Sequence, residues 1–371
     1  MRVVNLLIKP ASSECNLRCQ YCFYHDIASN RSKKSFGKMS LDTLEILIEK
    51  ACLEAEEALI LAFQGGESML VGLKFYQELI RLVEKYNQKK LIVRYSIQTN
   101  GTFIDDIWSR FFKENNFLVG ISLDGDKKVH DSSRYDHIKS GSFDKVMKAI
   151  THLKKARVDF NILSVVTNQN SQHIQKTYSF FQEEGFHYLQ FIPCLAPIGE
   201  EQALTLSKEN YFTFLDQLFE CYYQDLLSGK MVSIRYFDNL IGMLLRYEPQ
   251  SCDLRGICSY NLVVESNGDL YPCDFYVLDQ YKLGNITTDS LASIYQDKKW
   301  LNFLHESCKT LEKCKKCAFY ALCRGGCKRH RQNILNGELF DNVFCESYYH
   351  FLSKNIRKLE HLASIFSRKI E

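Results

Sequence analysis

The chain has 371 residues, 46% of them hydrophobic and 25% charged, with a formal net charge of +3. That balance excludes a low-complexity or disordered chain, and so weak a positive charge gives no electrostatic footing for nucleic acid. No apolar run approaches the roughly 18 residues of a membrane span, and the short apolar segment at residues 3–8 lacks the length and cleavage site of a secretory signal. A cytoplasmic location is expected. Thiols stay reduced there, so fifteen cysteines point to ligation rather than to a disulfide framework.

In chain order, residues 3–8 read as a short buried strand. The loop after it carries Cys15-Asn16-Leu17-Arg18-Cys19-Gln20-Tyr21-Cys22, three thiols in eight residues. Iron–sulfur clusters are normally held by four cysteine thiolates, so a trio leaves one metal open to an outside ligand. An open position belongs to reactive centres and a closed one to structural centres. Three core cysteines, or half of a zinc site, are the competing readings; dense regular spacing favours metal.

A βα series follows. Ser40 is placed to cap a helix at residues 41–56, and residues 58–63 form a strand ending in Gln64-Gly65-Gly66-Glu67. Tyr76, Leu79, Ile80 and Val83 mark an amphipathic helix face. Strands are expected at 91–98, 117–123, 158–166 and 187–192, with helices over 104–112, 143–156 and 174–184. Six βα units imply a parallel sheet with right-handed crossovers, curling toward a barrel or an open fragment of one, with the active face at the strand C-termini. The unusual residues fall on those ends: the cysteine loop, Gln-Gly-Gly-Glu, Gln98-Thr99-Asn100-Gly101, Ser122-Leu123-Asp124-Gly125 and Cys194-Leu195. The adjacent glycines Gly65 and Gly66 are read as clearing space for a ligand to approach the backbone.

After a helical connector at 211–227, cysteine density rises again. Residues 260–265 and 270–276, joined through Asn267-Gly268, read as a β-hairpin with a type I′ turn, bringing Cys273 toward Cys258. Cys252, Cys258, Cys273, Cys314, Cys317, Cys323, Cys327 and Cys345 make two sets of four. Four thiolates would close a cluster. Spacing alone leaves zinc open as the metal, and the reactive trio upstream favours iron. Cys52 and Cys221 are expected in buried apolar helix positions, Cys194 lies at a strand end, and Cys308 is unassigned. Arg235-Tyr236-Phe237-Asp238 has the composition of a site.

The Cys15-x3-Cys19-x2-Cys22 motif and the Gly-Gly-Glu loop resemble the radical S-adenosylmethionine (AdoMet) superfamily. The distal cysteines, from Cys258 through Cys345, resemble the SPASM auxiliary-cluster pattern. The run Lys9-Pro10-Ala11-Ser12-Ser13-Glu14-Cys15, the Cys-Phe-Tyr-His at 22–25 and Tyr-Pro-Cys-Asp-Phe-Tyr at 271–276 are similar to anaerobic sulfatase-maturating enzymes. The loop departs from the superfamily's usual Gly-Gly-Glu-Pro in having Ser68.

The resemblance implies an α/β fold, a partial (β/α)6 TIM-like barrel over residues 1–230 followed by a SPASM domain at 231–371 with a β-hairpin and helices. It implies three 4Fe–4S clusters and AdoMet. One cluster would sit on Cys15, Cys19 and Cys22, an auxiliary cluster on Cys252, Cys258, Cys273 and Cys327, and a second on Cys314, Cys317, Cys323 and Cys345. Tyr21, Gly66, Ser122, Arg134 and Leu195 map to AdoMet contacts, and Asp274 to the base. The implied reaction is radical oxidation of a cysteine or serine of a sulfatase polypeptide to Cα-formylglycine. The electron donor would be a flavodoxin or ferredoxin, and the enzyme a monomer. The alternative within the resemblance is another SPASM peptide maturase, such as one forming thioether links. A non-enzymatic zinc module is the reading from outside it.

Overall fold

The computed structural model describes residues 1–200 and 202–367. In chain order the elements are β1 (Val3–Lys9), α1 (Phe23–Ser29), α2 (Leu41–Glu54), β2 (Ala58–Phe63), α3 (Leu73–Tyr86), β3 (Ile92–Thr99), α4 (Asp106–Glu114), β4 (Phe117–Ser122), α5 (Lys127–Ser133), α6 (Phe143–Ala156) and β5 (Phe160–Val166). Then come α7 (Ile174–Glu183), β6 (Tyr188–Pro193), α8 (Lys208–Leu227), β7 (Ser233–Ile234), α9 (Arg235–Leu244), β8 (Leu262–Glu265), β9 (Asp269–Tyr271) and β10 (Gly284–Asn285). All six expected strands are present, within two residues of their expected ends. Helix α1 was not foreseen: it has seven residues, too short to show an apolar period.

The chain divides into two compact units. The first comprises Met1–Leu123, His130–Asn161 and Tyr260–Phe303; the second comprises Asp124–Val129, Ile162–Ser259 and Leu304–Glu371. In the first, the strand order is β10-β9-β8-β1-β2-β3-β4. β1 through β4 run parallel, and β8 joins β1 in parallel with Leu6 opposite Leu262. β9 and β10 continue that edge antiparallel. In the second unit β5, β6 and β7 run parallel.

Local chemistry explains the elements. β1 buries Val4, Leu6 and Ile8 completely, the period of two that one core face requires. Ser40 caps α2 by accepting from Thr43 N at 3.1 Å. Asp105 caps α4 by accepting from Ile107 N and Trp108 N, both at 2.9 Å, leaving fewer orphan donors at the helix start. Tyr76, Trp108, Phe111, Phe112 and Phe117 then pack edge-on or tilted against one another. Each such buried ring contributes about 1.5–3 kcal/mol. In the second unit the C-terminal helix Cys345–Ser367 lies on α8, with Phe351 5.4 Å from Phe219 and Lys354 paired to Asp216 at 2.8 Å.

Two local expectations are corrected. The β8–β9 turn is not type I′: Val264 pairs with Leu270 and Gly268 N donates to Glu265 O at 2.8 Å. Of the turn residues only Gly268 has positive φ, at +87°. A longer loop with one left-handed glycine needs no strain at Asn267, which instead donates to Asp269 Oδ2 at 2.9 Å. The strand also ends early, at Tyr271, and Asp274–Tyr276 is a 3-10 turn. In the Arg235-Tyr236-Phe237-Asp238 run, two side chains serve packing and local hydrogen bonding. Phe237 is fully buried, and Asp238 accepts from Tyr222 at 2.6 Å and Ser233 at 2.5 Å.

Candidate active site

The cysteine loop is a tight wrap between β1 and α1. Cys22 N donates to Cys19 O at 3.2 Å, and Arg18 N and Gln20 N donate to Tyr135 O and Ser133 O at 2.7 and 3.1 Å. Donors approach the sulfurs themselves: Leu17 N lies 3.4 Å and Asn100 Nδ2 3.8 Å from Cys15 Sγ, and Arg134 Nη1 3.9 Å from Cys19 Sγ. Burial pushes the Cys15 thiol up to about 12, and Glu67, Cys19 and Cys22 add to that push. Cys15, pressed by its neighbours in a run of three thiols within eight residues, belongs to a donor set that a cationic centre would relieve. The residues present therefore fit an iron–sulfur cluster. N–H groups aimed at sulfur are a means of tuning its potential.

The glycine loop abuts this wrap. Gly65 and Gly66 have φ of +105° and +51°. A Cβ on Gly66 would lie 2.2 Å from Glu14 O, and one on Gly65 2.7 Å from Lys9 Cε. The side-chain volume at these two positions is thus taken by the protein's own backbone and by Lys9. Glu67 N donates to Glu14 O at 2.7 Å. The Glu67 carboxylate is buried and accepts from Met69 N, Thr99 Oγ1 and Asn100 N at 3.0, 2.7 and 2.8 Å. Burial raises its pKa and those hydrogen bonds oppose the rise. Glu67 therefore clamps the end of β2 to the end of β3 and sets Asn100 beside Cys15. At the position usually held by proline, Ser68 is buried, and its carbonyl accepts from Tyr76 at 2.9 Å.

Of the expected AdoMet contacts, Tyr21, Gly66, Ser122 and Arg134 belong to the first unit and Leu195 to the second. Arg134 is buried with its guanidinium 5.4 Å from the Tyr21 ring, unlike a solvated arginine. Ser122 Oγ accepts from Gln98 at 3.1 Å, and Leu195 O accepts from Cys194 Sγ at 3.8 Å.

Asp274 stands at the centre of a network the sequence did not reveal. Tyr24, on α1, donates to Asp274 Oδ2 at 2.5 Å. Oδ1 accepts no hydrogen bond, and Lys9 Nζ lies 4.0 Å from it. Lys9 Nζ also lies 3.8 Å from Glu265 Oε2, which Arg31 Nη1 meets at 2.7 Å. Burial raises the Asp274 pKa; Lys9 and Tyr24 act against the rise and Glu265 with it. The available signal was a charge ending each of two buried strands, Lys9 on β1 and Glu265 on β8.

In the second unit the distal thiols gather. Burial pushes Cys323 up to about 11, with Cys345, Cys314 and Cys317 adding to it. Cys258 is likewise raised to about 11 by burial and Cys252, and Cys327 is raised by burial, Cys252 and Cys258. Cys273 belongs to the first unit. Among the described residues no group of three or more His, Cys, Asp or Glu is set for a single metal ion. Cys52 is buried in α2, Cys194 is buried, Cys308 is exposed, and Cys221 is only half-buried, against expectation, because its place on α8 faces partly outward.

Residues 10–181 match the Radical SAM superfamily, and residues 252–318 match SPASM, an iron-sulfur cluster-binding domain. The chain is 51% identical over 367 residues to the cysteine-type anaerobic sulfatase-maturating enzyme of Clostridium novyi (strain NT), covering 98% of each. It is 33% identical to the serine-type anaerobic sulfatase-maturating enzyme of Bacteroides thetaiotaomicron, covering 93% of this chain and 88% of that one. The solved structure of native anSMEcpe with bound AdoMet and Cp18Cys peptide superposes with a TM-score of 0.94 at 43% identity, covering 98% of this chain and 99% of that one. The α/β fold is therefore a radical SAM domain with a SPASM domain, and the chain belongs to the anaerobic sulfatase-maturating enzymes.

Proposed function

We propose that this enzyme oxidises a cysteine of a sulfatase polypeptide to Cα-formylglycine, with Asp274 as the base. The observation that carries this reading is the Asp274 carboxylate: one oxygen held by Tyr24, the other accepting no hydrogen bond, one residue after Cys273. The greater likeness to the cysteine-type relative than to the serine-type one supports cysteine as the target.

When bound, the clusters and AdoMet supply a hydrogen-abstracting radical and a sink for one electron. The substrate Cβ loses a hydrogen atom, and Asp274 Oδ1 takes the thiol proton. With one electron passed on, the bond becomes a thioaldehyde, and water converts it to the aldehyde with release of hydrogen sulfide. Cys15, Cys19 and Cys22 would hold the first cluster. Cys252, Cys258, Cys273 and Cys327 would hold one auxiliary cluster, and Cys314, Cys317, Cys323 and Cys345 the other. Tyr21, Gly66, Ser122, Arg134 and Leu195 would line AdoMet, with Arg134 suited to its carboxylate.

By chemistry, residues 1–230 form the radical-generating part and 231–371 the electron-accepting part. A cytoplasmic monomer reduced by a flavodoxin or ferredoxin completes the reading.

Anaerobic incubation with matched cysteine and serine sulfatase peptides tests it. The aldehyde should form from the cysteine peptide several times faster than from the serine peptide. Deoxyadenosine without any aldehyde would overturn the maturase reading and leave a thioether-forming peptide maturase.

A further inference from the structure

Lys9 is 1% exposed at the end of β1, and its chain lies in the volume that Gly65 vacates. A Cβ at residue 65 would stand 2.7, 2.9 and 3.2 Å from Lys9 Cε, Cγ and Cβ. Beyond that gap the ammonium stands between two carboxylates, 3.8 Å from Glu265 and 4.0 Å from Asp274, and 4.9 Å from the centre of the Tyr24 ring. Glu265 is itself fully buried and held by Arg31 at 2.7 Å. The Arg31 guanidinium is fastened by Ser12 Oγ at 3.0 Å and Lys34 O at 2.8 Å. Two cations and two carboxylates thus form a fixed, charge-balanced file from the surface loop to Asp274. Dropping one member leaves a buried charge uncompensated.

We propose that Lys9 is a positioning residue for the oxidation, holding the Asp274 carboxylate so that Oδ1 faces the proton it receives. In this arrangement Gly65 is glycine to let Lys9 through, and the Glu265–Arg31 pair anchors the ammonium from behind. Tyr24 secures one carboxylate oxygen and Lys9 sets the direction of the other. The inference rests on the assignment of Asp274 as base.

The test compares wild type, Lys9→Met and the charge-matched Lys9→Met/Glu265→Gln in the anaerobically reconstituted full chain, with AdoMet and a cysteine sulfatase peptide. Methionine keeps the length of the side chain and removes its charge. Both variants should keep wild-type iron content, peptide KM and deoxyadenosine formation. Formylglycine per deoxyadenosine should fall about tenfold to a hundredfold, the scale of a misplaced reacting group. An unchanged ratio in either iron-replete variant would overturn the proposal. So would restoration of the ratio by the double variant, because the loss would then come from the stranded Glu265 charge. Absence of formylglycine from the wild type would count against the reaction assignment and not against the role of Lys9.

Discussion

Asp274 carries the clearest consequences at the scale of single residues. Burial raises its pKa above the ordinary 3.8, and Lys9 and Tyr24 only moderate the rise. A base acts in its ionised form, so lowering the pH through that raised value protonates it and removes function. The acidic limb of formylglycine production should therefore lie above the ordinary carboxylate range, while deoxyadenosine formation is not tied to it. Asp274→Asn keeps the shape and the Tyr24 contact but cannot take a proton. Production should fall about a hundredfold or more, with AdoMet cleavage retained, since positioned bases contribute about 10²–10⁴-fold. Chromatographic quantification of both products across pH checks limb and variant together. Sequence placed Asp274 beside Cys273, but Tyr24, Lys9 and Glu265 stand 250, 265 and 9 positions away. No local period links such residues.

Elements determine how the cysteine loop is held. Gly66 has φ of +51°, and an added Cβ would meet Glu14 O at 2.2 Å and the Ser13 carbonyl carbon at 2.9 Å. These are backbone atoms of the loop that carries Cys15, so relief requires the loop to move. Gly66→Ala should therefore lose about four irons, one cluster's share, before the fold is affected. Iron assay with far-ultraviolet circular dichroism would separate the two effects; full iron content in a folded variant would refute the account. The strands and most helices were legible because their apolar periods are local: β2 alternates, and α2 buries Leu44, Leu47, Ile48 and Ala51. Helix α1 and the β8–β9 turn were not, since one is too short for a period and the other is decided by the φ of one glycine.

For the whole molecule, the choice of metal is the measurable question. Anaerobically prepared enzyme should contain about twelve irons with matching acid-labile sulfide, from three four-iron clusters on eleven cysteines. Zinc without sulfide would overturn the cluster assignment. None of the described helices is long and apolar enough to cross a membrane.

The sequence alone determined the cysteine roster, the βα alternation and the family, because ligand spacing and hydrophobic period are short-range properties written in consecutive residues. Only the tertiary structure decided that β8 docks in parallel on β1, with Ile8 opposite Val264 and Lys9 opposite Glu265. That pairing depends on which buried surfaces fit each other across some 256 residues. It places Lys9 and Glu265 side by side and brings the turn carrying Asp274 within reach of Tyr24, and it turns the space beside Gly65 into the path of the lysine.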